Sequence, residues 1–264
     1  MIWVNGQQLQ REHFPDNTLL IKDHFPDSGE KVVISWHFED NEELVVLLFL
    51  VRHLRADGRN RIILNMPYIP NARQDRVKSR EDVFTLKYFA GIINSLEFEK
   101  VIVLDPHSYV SEALLNHIEI RYPDELVGQI AARIPEVTFF YPDEGAAKRY
   151  GQRYQYPYAF GIKARDWKTG KITGLDIAGD QELIAGKDIL IMDDICSRGG
   201  TFYHSAKKLK AAGAGKIYLF VTHCENSVLE GELLTSGLIE RIYTTNSICT
   251  LKHEMIKIID IRED

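Results

Sequence analysis

Ile189-Leu-Ile-Met-Asp-Asp-Ile-Cys-Ser-Arg-Gly-Gly-Thr201 is the stretch whose reading decides the fold. Its first four residues, Ile189 to Met192, form an apolar run that fits a buried strand. Asp193 and Asp194 stand where that strand is expected to end. A short turn of Ser197, Arg198, Gly199, Gly200 and Thr201 follows, and Phe202 to Ala212 carries a helical pattern that stops at Gly213. Strand, acidic pair, glycine turn and helix together make a phosphate cradle: glycine lets backbone N–H groups approach an anion, and a helix N-terminus adds partial positive charge. The two carboxylates suit a ribose diol or a magnesium ion. An isolated Asp-Asp reads more simply as a solvated βα turn. The Gly-Gly-Thr behind it favours a ligand site.

Outward from this stretch, the pattern is that of two α/β halves. Toward the C-terminus come a strand at Lys216 to Thr222, a short helix at Leu229 to Ser236, and short strands at Arg241 to Thr244 and Ile256 to Ile261. Before it come a helix at Leu126 to Ile134, a strand at Val137 to Tyr141, a helix at Ala146 to Tyr154, and strands at Tyr158 to Lys163 and Lys171 to Ile177. The earlier half repeats the alternation: strand Lys31 to Trp36, helix Glu42 to Arg55, strand Arg61 to Met66, helix Phe84 to Leu96, strand Lys100 to Leu104. Such alternation predicts mostly parallel sheets flanked by helices. The join is expected near Pro135, giving domains 1–134 and 135–264. In open α/β sheets ligands bind at the carboxyl ends of strands. Tyr68, Asp105 to His107, Asp143, Lys163 and the Asp193–Asp194 pair fall there.

The long loop after the second strand, Pro67-Tyr-Ile-Pro-Asn-Ala-Arg-Gln-Asp-Arg76, groups Arg73 and Arg76 around Gln74 and Asp75. Guanidinium forks suit a polyphosphate, although arginine clusters more often belong to charged surface loops. Asp105-Pro-His107 and Asp143 offer a carboxylate, an imidazole and a second carboxylate for a hydrated magnesium ion. Lys163, followed by Arg165, offers charge to a phosphoryl group in transit, or is a solvated cation pair. The chain has no Gly-x-x-x-x-Gly-Lys-Ser/Thr, no Gly-x-Ser-x-Gly and no His-Glu-x-x-His. Cys196 has no assignable His or Asn partner and is not read as a nucleophile.

A chain of 264 residues that is 45% hydrophobic and 27% charged can bury two cores. A net charge of −6 argues against general nucleic-acid binding. The three cysteines, Cys196, Cys224 and Cys249, lack paired spacing and point to a reducing compartment. Met1-Ile-Trp-Val-Asn-Gly6 is unlike a signal peptide, and no apolar run approaches the ~18 residues of a membrane span. A cytoplasmic protein without membrane partners is expected. The repeated His13-Phe-Pro-Asp16 and His24-Phe-Pro-Asp27 read as two loops flanking a short strand at Leu19-Leu-Ile21.

With these residues collected, the chain resembles the ribose-phosphate pyrophosphokinase family from about Glu43 to His223. The resemblance rests on Glu43-Leu-Val-Val46, Met66-Pro-Tyr68, Ala72-Arg-Gln-Asp-Arg76, Val103-Leu-Asp-Pro-His107, Pro142-Asp143 with Gly145, Lys163 with Arg165, Asp193-Asp194 with Gly199-Gly-Thr201, and Thr222-His223. It implies two tandem domains of type I phosphoribosyltransferase fold. It also implies transfer of the β,γ-diphosphate of ATP to the C1 hydroxyl of ribose 5-phosphate, giving phosphoribosyl diphosphate and AMP. Carried over by position, Arg73, Gln74, Asp75, Arg76 and His107 would bind ATP, with Phe14 and Asp16 echoing an adenine loop. His107 and Asp143 would hold Mg2+, and Lys163 and Arg165 would serve the transfer. Asp193, Asp194, Ser197, Arg198, Gly199, Gly200 and Thr201 would bind the ribose phosphate. A homodimer or larger assembly is implied as well.

The match departs from the family where the reading began. The family's turn has an acid and a threonine where this chain has Ser197 and Arg198, which makes the cradle more positive by two charges. That suits a bulkier or more anionic 5-substituent, such as ADP-ribose, whose C1-diphosphorylated form would feed NAD synthesis. A non-catalytic regulatory relative is a further alternative, against which Lys163, Arg165, His107 and Asp143 are all retained. A phosphoribosyltransferase that consumes phosphoribosyl diphosphate has no need of the Arg73–Arg76 clamp.

Overall fold

The computed structural model describes residues 1–22, 25, 31–165 and 172–262, and side chains are considered at all of these except 163–165, 172–175 and 181. The chain divides into two units, Met1–Tyr122 and Pro123–Asp264.

In the first unit, β1 (Ile2–Val4) and β2 (Gln7–Gln8) precede a hairpin of β3 (Glu12–His13) and β4 (Leu19–Leu20). β5 (Lys31–Trp36), α1 (Glu42–Ala56), β6 (Arg61–Asn65), α2 (Thr85–Asn94), β7 (Lys100–Leu104), α3 (Val110–Leu114) and β8 (Ile118–Arg121) follow. The six-stranded sheet runs β2-β1-β5-β6-β7-β8, parallel from β5 to β8 and antiparallel at the β1 edge. α1 forms because Val46, Leu47, Leu50, Val51 and Leu54 share one buried stripe, with Glu42 and Glu43 in its first turn complementing the helix dipole. The sequence reading found the central strands and helices but not β1, β2, β3, α3 or β8, segments of two to five residues that are too short to carry a periodic signal.

The second unit contains α4 (Asp124–Ala131), β9 (Thr138–Tyr141), α5 (Glu144–Tyr150), β10 (Tyr158–Arg165), β11 (Ile172–Ala178), β12 (Ile189–Cys196), α6 (Gly200–Ala211), β13 (Ile217–Cys224), β14 (Arg241–Thr245) and β15 (Ile256–Ile259). Its seven-stranded sheet runs β11-β10-β9-β12-β13-β14-β15 and is parallel except for the β10–β11 hairpin. α4 belongs here: Val127, Ile130 and Ala131 pack with Phe139, Tyr141 and Tyr150. The division therefore falls at Tyr122/Pro123 and not at 134/135, because the helix buries its apolar stripe in the second core. The helix expected at Leu229 to Ser236 is instead a 3₁₀ turn at Asn226–Glu230 followed by irregular chain. Among the described residues no helix is long and apolar enough to cross a membrane.

Candidate functional site

β12 is longer than its apolar run. Asp193 pairs with Val221, Ile195 with His223 and Cys196 with Cys224, so both acids lie within the strand and not beyond its end. Pairing with β13 keeps the strand going after the hydrophobic residues stop. Asp194 is buried and forms an ion pair with Arg149 of α5, whose Nη1 lies 3.0 Å from Oδ1. The Asp194 N–H donates to Asp193 Oδ1 at 3.0 Å. Burial, and then the nearby charges of Asp194 and Asp143, push the Asp193 carboxyl well above the ordinary carboxylate range. Asp143 caps α5, accepting the Ala146 N–H at 3.0 Å through Oδ1. Three carboxylates thus share one electrostatic neighbourhood.

After Cys196 the chain turns through Ser197 and Arg198 to Gly199, at φ +77°, and α6 begins at Gly200. Glycine is required at 199 on two counts: a positive φ, and Leu233 2.9 Å from where a Cβ would stand. The first N–H groups of the 12-residue α6 lack partners within the helix, the arrangement that suits an anion. Arg198 does not simply add charge to it. Its Nε donates to Glu230 Oε2 at 2.9 Å, and Nη2 lies 2.8 Å from the same oxygen. One of the two positive charges expected from sequence is therefore balanced locally.

In the first unit the loop after β6 holds its residues in unlike environments. Asp75 is buried and grips Arg76, whose Nε and Nη2 donate to Oδ1 at 2.8 Å and Oδ2 at 3.0 Å. The Arg76 hydrogen bonds, with help from Ser108 and His107, hold the Asp75 carboxyl below its usual range. Asp75 thus positions Arg76, whose side chain is 65% exposed. Gln74 Oε1 accepts from Thr85 Oγ1 at 2.8 Å, and Arg73 is exposed. Asp105 follows β7 directly and is buried at φ +45°, and His107 lies two residues beyond it. Phe14 and Asp16 lie in the β3–β4 turn. There Phe14 is half-exposed, and Asp16 Oδ1 accepts from the Thr18 N–H at 3.0 Å and its Oγ1 at 2.7 Å.

Lys163 and Arg165 sit on β10, which runs past Lys163 to Arg165 and pairs with β11, so Lys163 does not end its strand. Their side chains lie outside those described. Sequence reasoning missed Arg149, Glu230, Gly231 and Leu233. Only Glu230-Gly231 carried a signal, a breaker inside the segment read as helix. The described residues include no group of three or more His, Cys, Asp and Glu placed to hold a metal unaided. Magnesium is usually held by one or two carboxylates, waters and substrate phosphates, and the acids at 143, 193 and 194 fit that donor chemistry.

Comparison with known proteins places this geometry in context. The family described as "Phosphoribosyl synthetase-associated domain" matches residues 168–263. A ribose-phosphate pyrophosphokinase of Sulfurisphaera tokodaii is 29% identical over 253 residues, covering 91% of this chain and 85% of the relative. One from Cereibacter sphaeroides is 26% identical, covering 90% and 73%. A phosphoribosylpyrophosphate synthetase from Mycobacterium smegmatis superposes with a TM-score of 0.78 at 18% identity, over 96% of this chain and 86% of that one. This last similarity establishes the fold: two phosphoribosyltransferase-like α/β domains in tandem.

Proposed function

We propose that this chain, a divergent member of the ribose-phosphate pyrophosphokinase family, transfers the β,γ-diphosphate of ATP to the C1 hydroxyl of ribose 5-phosphate. The observation that carries this reading is the β12–α6 connection, with two acids on the strand, a left-handed glycine, and a helix N-terminus directly after it. In the proposed reaction the C1 oxygen attacks the β-phosphorus of ATP and gives up its proton. The bond from the β-phosphorus to the oxygen bridging it to the α-phosphorus breaks, and AMP leaves with that oxygen. Catalysis of this kind rests on positioning and charge neutralisation and needs no covalent intermediate.

Each residue then has a task. Arg73, Gln74 and Arg76 bind the ATP phosphates and base, with Asp75 fixing the fork of Arg76. Phe14 and Asp16 belong to the ATP side as well, in the exposed turn that suits contact with adenine. Asp193 and Asp194 accept the ribose hydroxyls. Ser197, Gly199, Gly200 and Thr201 present N–H groups to the 5-phosphate. Lys163 and Arg165 offset charge on the diphosphoryl group in transit. His107 in the first unit and Asp143 in the second would each serve as a Mg2+ ligand, and Mg2+ when bound neutralises phosphate charge.

ADP-ribose as acceptor, serving NAD synthesis, is the second reading. Arg198 favours it, and the ion pair to Glu230 weakens that support. Incubating the pure chain with ATP, Mg2+ and each acceptor in turn tests both. Release of AMP with ribose 5-phosphate is the expected result. Release with ADP-ribose alone would replace the first reading by the second, and release with neither would favour a regulatory relative. Lys163→Ala should cut AMP release by about 10²- to 10³-fold with an unchanged melting temperature.

A further inference from the structure

The turn that receives the 5-phosphate is braced from behind by residues 225–233, a segment with no motif of its own. The Glu225 N–H donates to the Cys196 carbonyl at 2.8 Å, tying the end of β13 to the end of β12. Gly231 lies so close to the turn that a Cβ there would fall 1.8 Å from the Arg198 carbonyl oxygen. Leu233 closes against Gly199. Glu230, at the end of the 3₁₀ turn, takes the Arg198 guanidinium by its Nε and Nη2 edge. The backbone of the turn and the charge at its rim are thus set by one neighbouring segment.

We propose that Glu230 is a specificity-determining residue, holding Arg198 at the rim and cancelling its charge so that the turn selects an acceptor with a single phosphate at the 5-position over one with a pyrophosphate-linked substituent. This rests on the reading that the turn binds a 5-phosphorylated ribose. The physical reason is competition. A single phosphate is served by the N–H groups of the turn and of the first residues of α6, and makes no demand on Arg198. A second phosphoryl group, further out, meets the rim. There it must displace the Glu230 carboxylate from Arg198 or lie beside it, and either costs affinity. Both side chains of the pair are well exposed, at 73% for Arg198 and 58% for Glu230, so the pair is weak enough to act as a discriminator without locking the turn. Replacing Glu230 by glutamine removes the competing charge while keeping the side chain's size, and frees Arg198 for the second phosphate.

Calorimetric dissociation constants for ribose 5-phosphate and ADP-ribose, with AMP release measured in parallel, test this on the full chain. Glu230→Gln should shift the affinity ratio toward ADP-ribose by about three- to fivefold, the scale of an exposed ion pair. The shift should shrink at high salt, and adding Arg198→Ala should abolish it. Arg198→Ala alone should move the ratio the other way, toward ribose 5-phosphate, because it leaves the Glu230 carboxylate unbalanced at the rim. AMP release by the wild type together with an unmoved ratio in Glu230→Gln would overturn this proposal and leave the proposed reaction standing. A moved ratio without AMP release would support the proposal and count against the reaction. Failure of the wild type to bind either acceptor would overturn both.

Discussion

Asp193→Asn should make the protein more stable and less able to bind its acceptor. Asp193 is pressed by burial, then by Asp194, then by Asp143, and its carboxyl is held well above the ordinary range. Two unit charges about 4 Å apart interact by about 4 kcal/mol at an effective dielectric of 20. The Arg149 guanidinium, 3.0 Å from Asp194, offsets much of this. A net gain of about 1–2 kcal/mol remains, within the usual range for relieving strain at a functional site. Asparagine keeps the oxygen that accepts the Asp194 N–H, so the hydrogen bond at 3.0 Å survives and the charge alone is lost. For a domain of this size the gain corresponds to about 3–6 °C in melting temperature.

The sign follows from linkage. A carboxyl whose folded pKa is raised penalises the native state only where it is ionised in the unfolded chain. Below the unfolded value, near 3.9, both states are protonated and the variant has no advantage. As pH rises from there toward the raised folded value, the wild type loses stability relative to the variant, and above it the gap is constant. Melting curves of both proteins between pH 4 and 8, without metal or nucleotide, read this directly. A variant that melts lower at pH 7, or an advantage of the same size at pH 4 and pH 8, would refute the reasoning. Binding should move the other way: Asp193→Asn should lose most of its affinity for ribose 5-phosphate above the raised folded value, and the difference from the wild type should shrink below it, where the wild-type carboxyl is itself protonated.

Three further outcomes are expected. Gly231→Ala should displace the Ser197–Gly199 turn, because its Cβ would fall 1.8 Å from the Arg198 carbonyl oxygen. A loss of about 1–3 kcal/mol in stability and loss of the ribose 5-phosphate-induced thermal shift would show it. Asp75→Asn should raise the KM for ATP by about fivefold, the scale of one lost orienting charge, with kcat less affected. Since Asp75 is held below its usual range, it keeps its charge, and the wild-type KM should stay flat as pH falls through the ordinary carboxylate range. Finally, all three cysteines are buried, with Cys224 raised chiefly by contact with Cys196 and Cys249 by contact with Cys224. A thiol-reactive disulfide reagent should therefore label the native protein slowly and release its full signal only on unfolding.

Periodicity alone determined the main elements of both halves. Ile189–Met192, Glu42–Arg55 and Lys100–Leu104 lie where the apolar pattern puts them, because a buried strand or a one-sided helix leaves a repeating signature in its own residues. The chemical types at the site were legible too: the acids at 193 and 194, the glycine at 199, and the cluster at Arg73–Arg76. Tertiary structure decided what depends on partners distant in sequence. β12 runs on through its acids because β13 is beside it to take the hydrogen bonds. α4 joins the second unit because its apolar stripe fits Phe139 and Tyr141. The three cysteines, unpaired by spacing, become neighbours because Cys196 and Cys224 share a register and Cys249 reaches Cys224. Arg198 looks in the sequence like an added positive charge on a phosphate turn. In the fold Glu230, 32 positions on, neutralises it, and no local pattern reports a partner so far away.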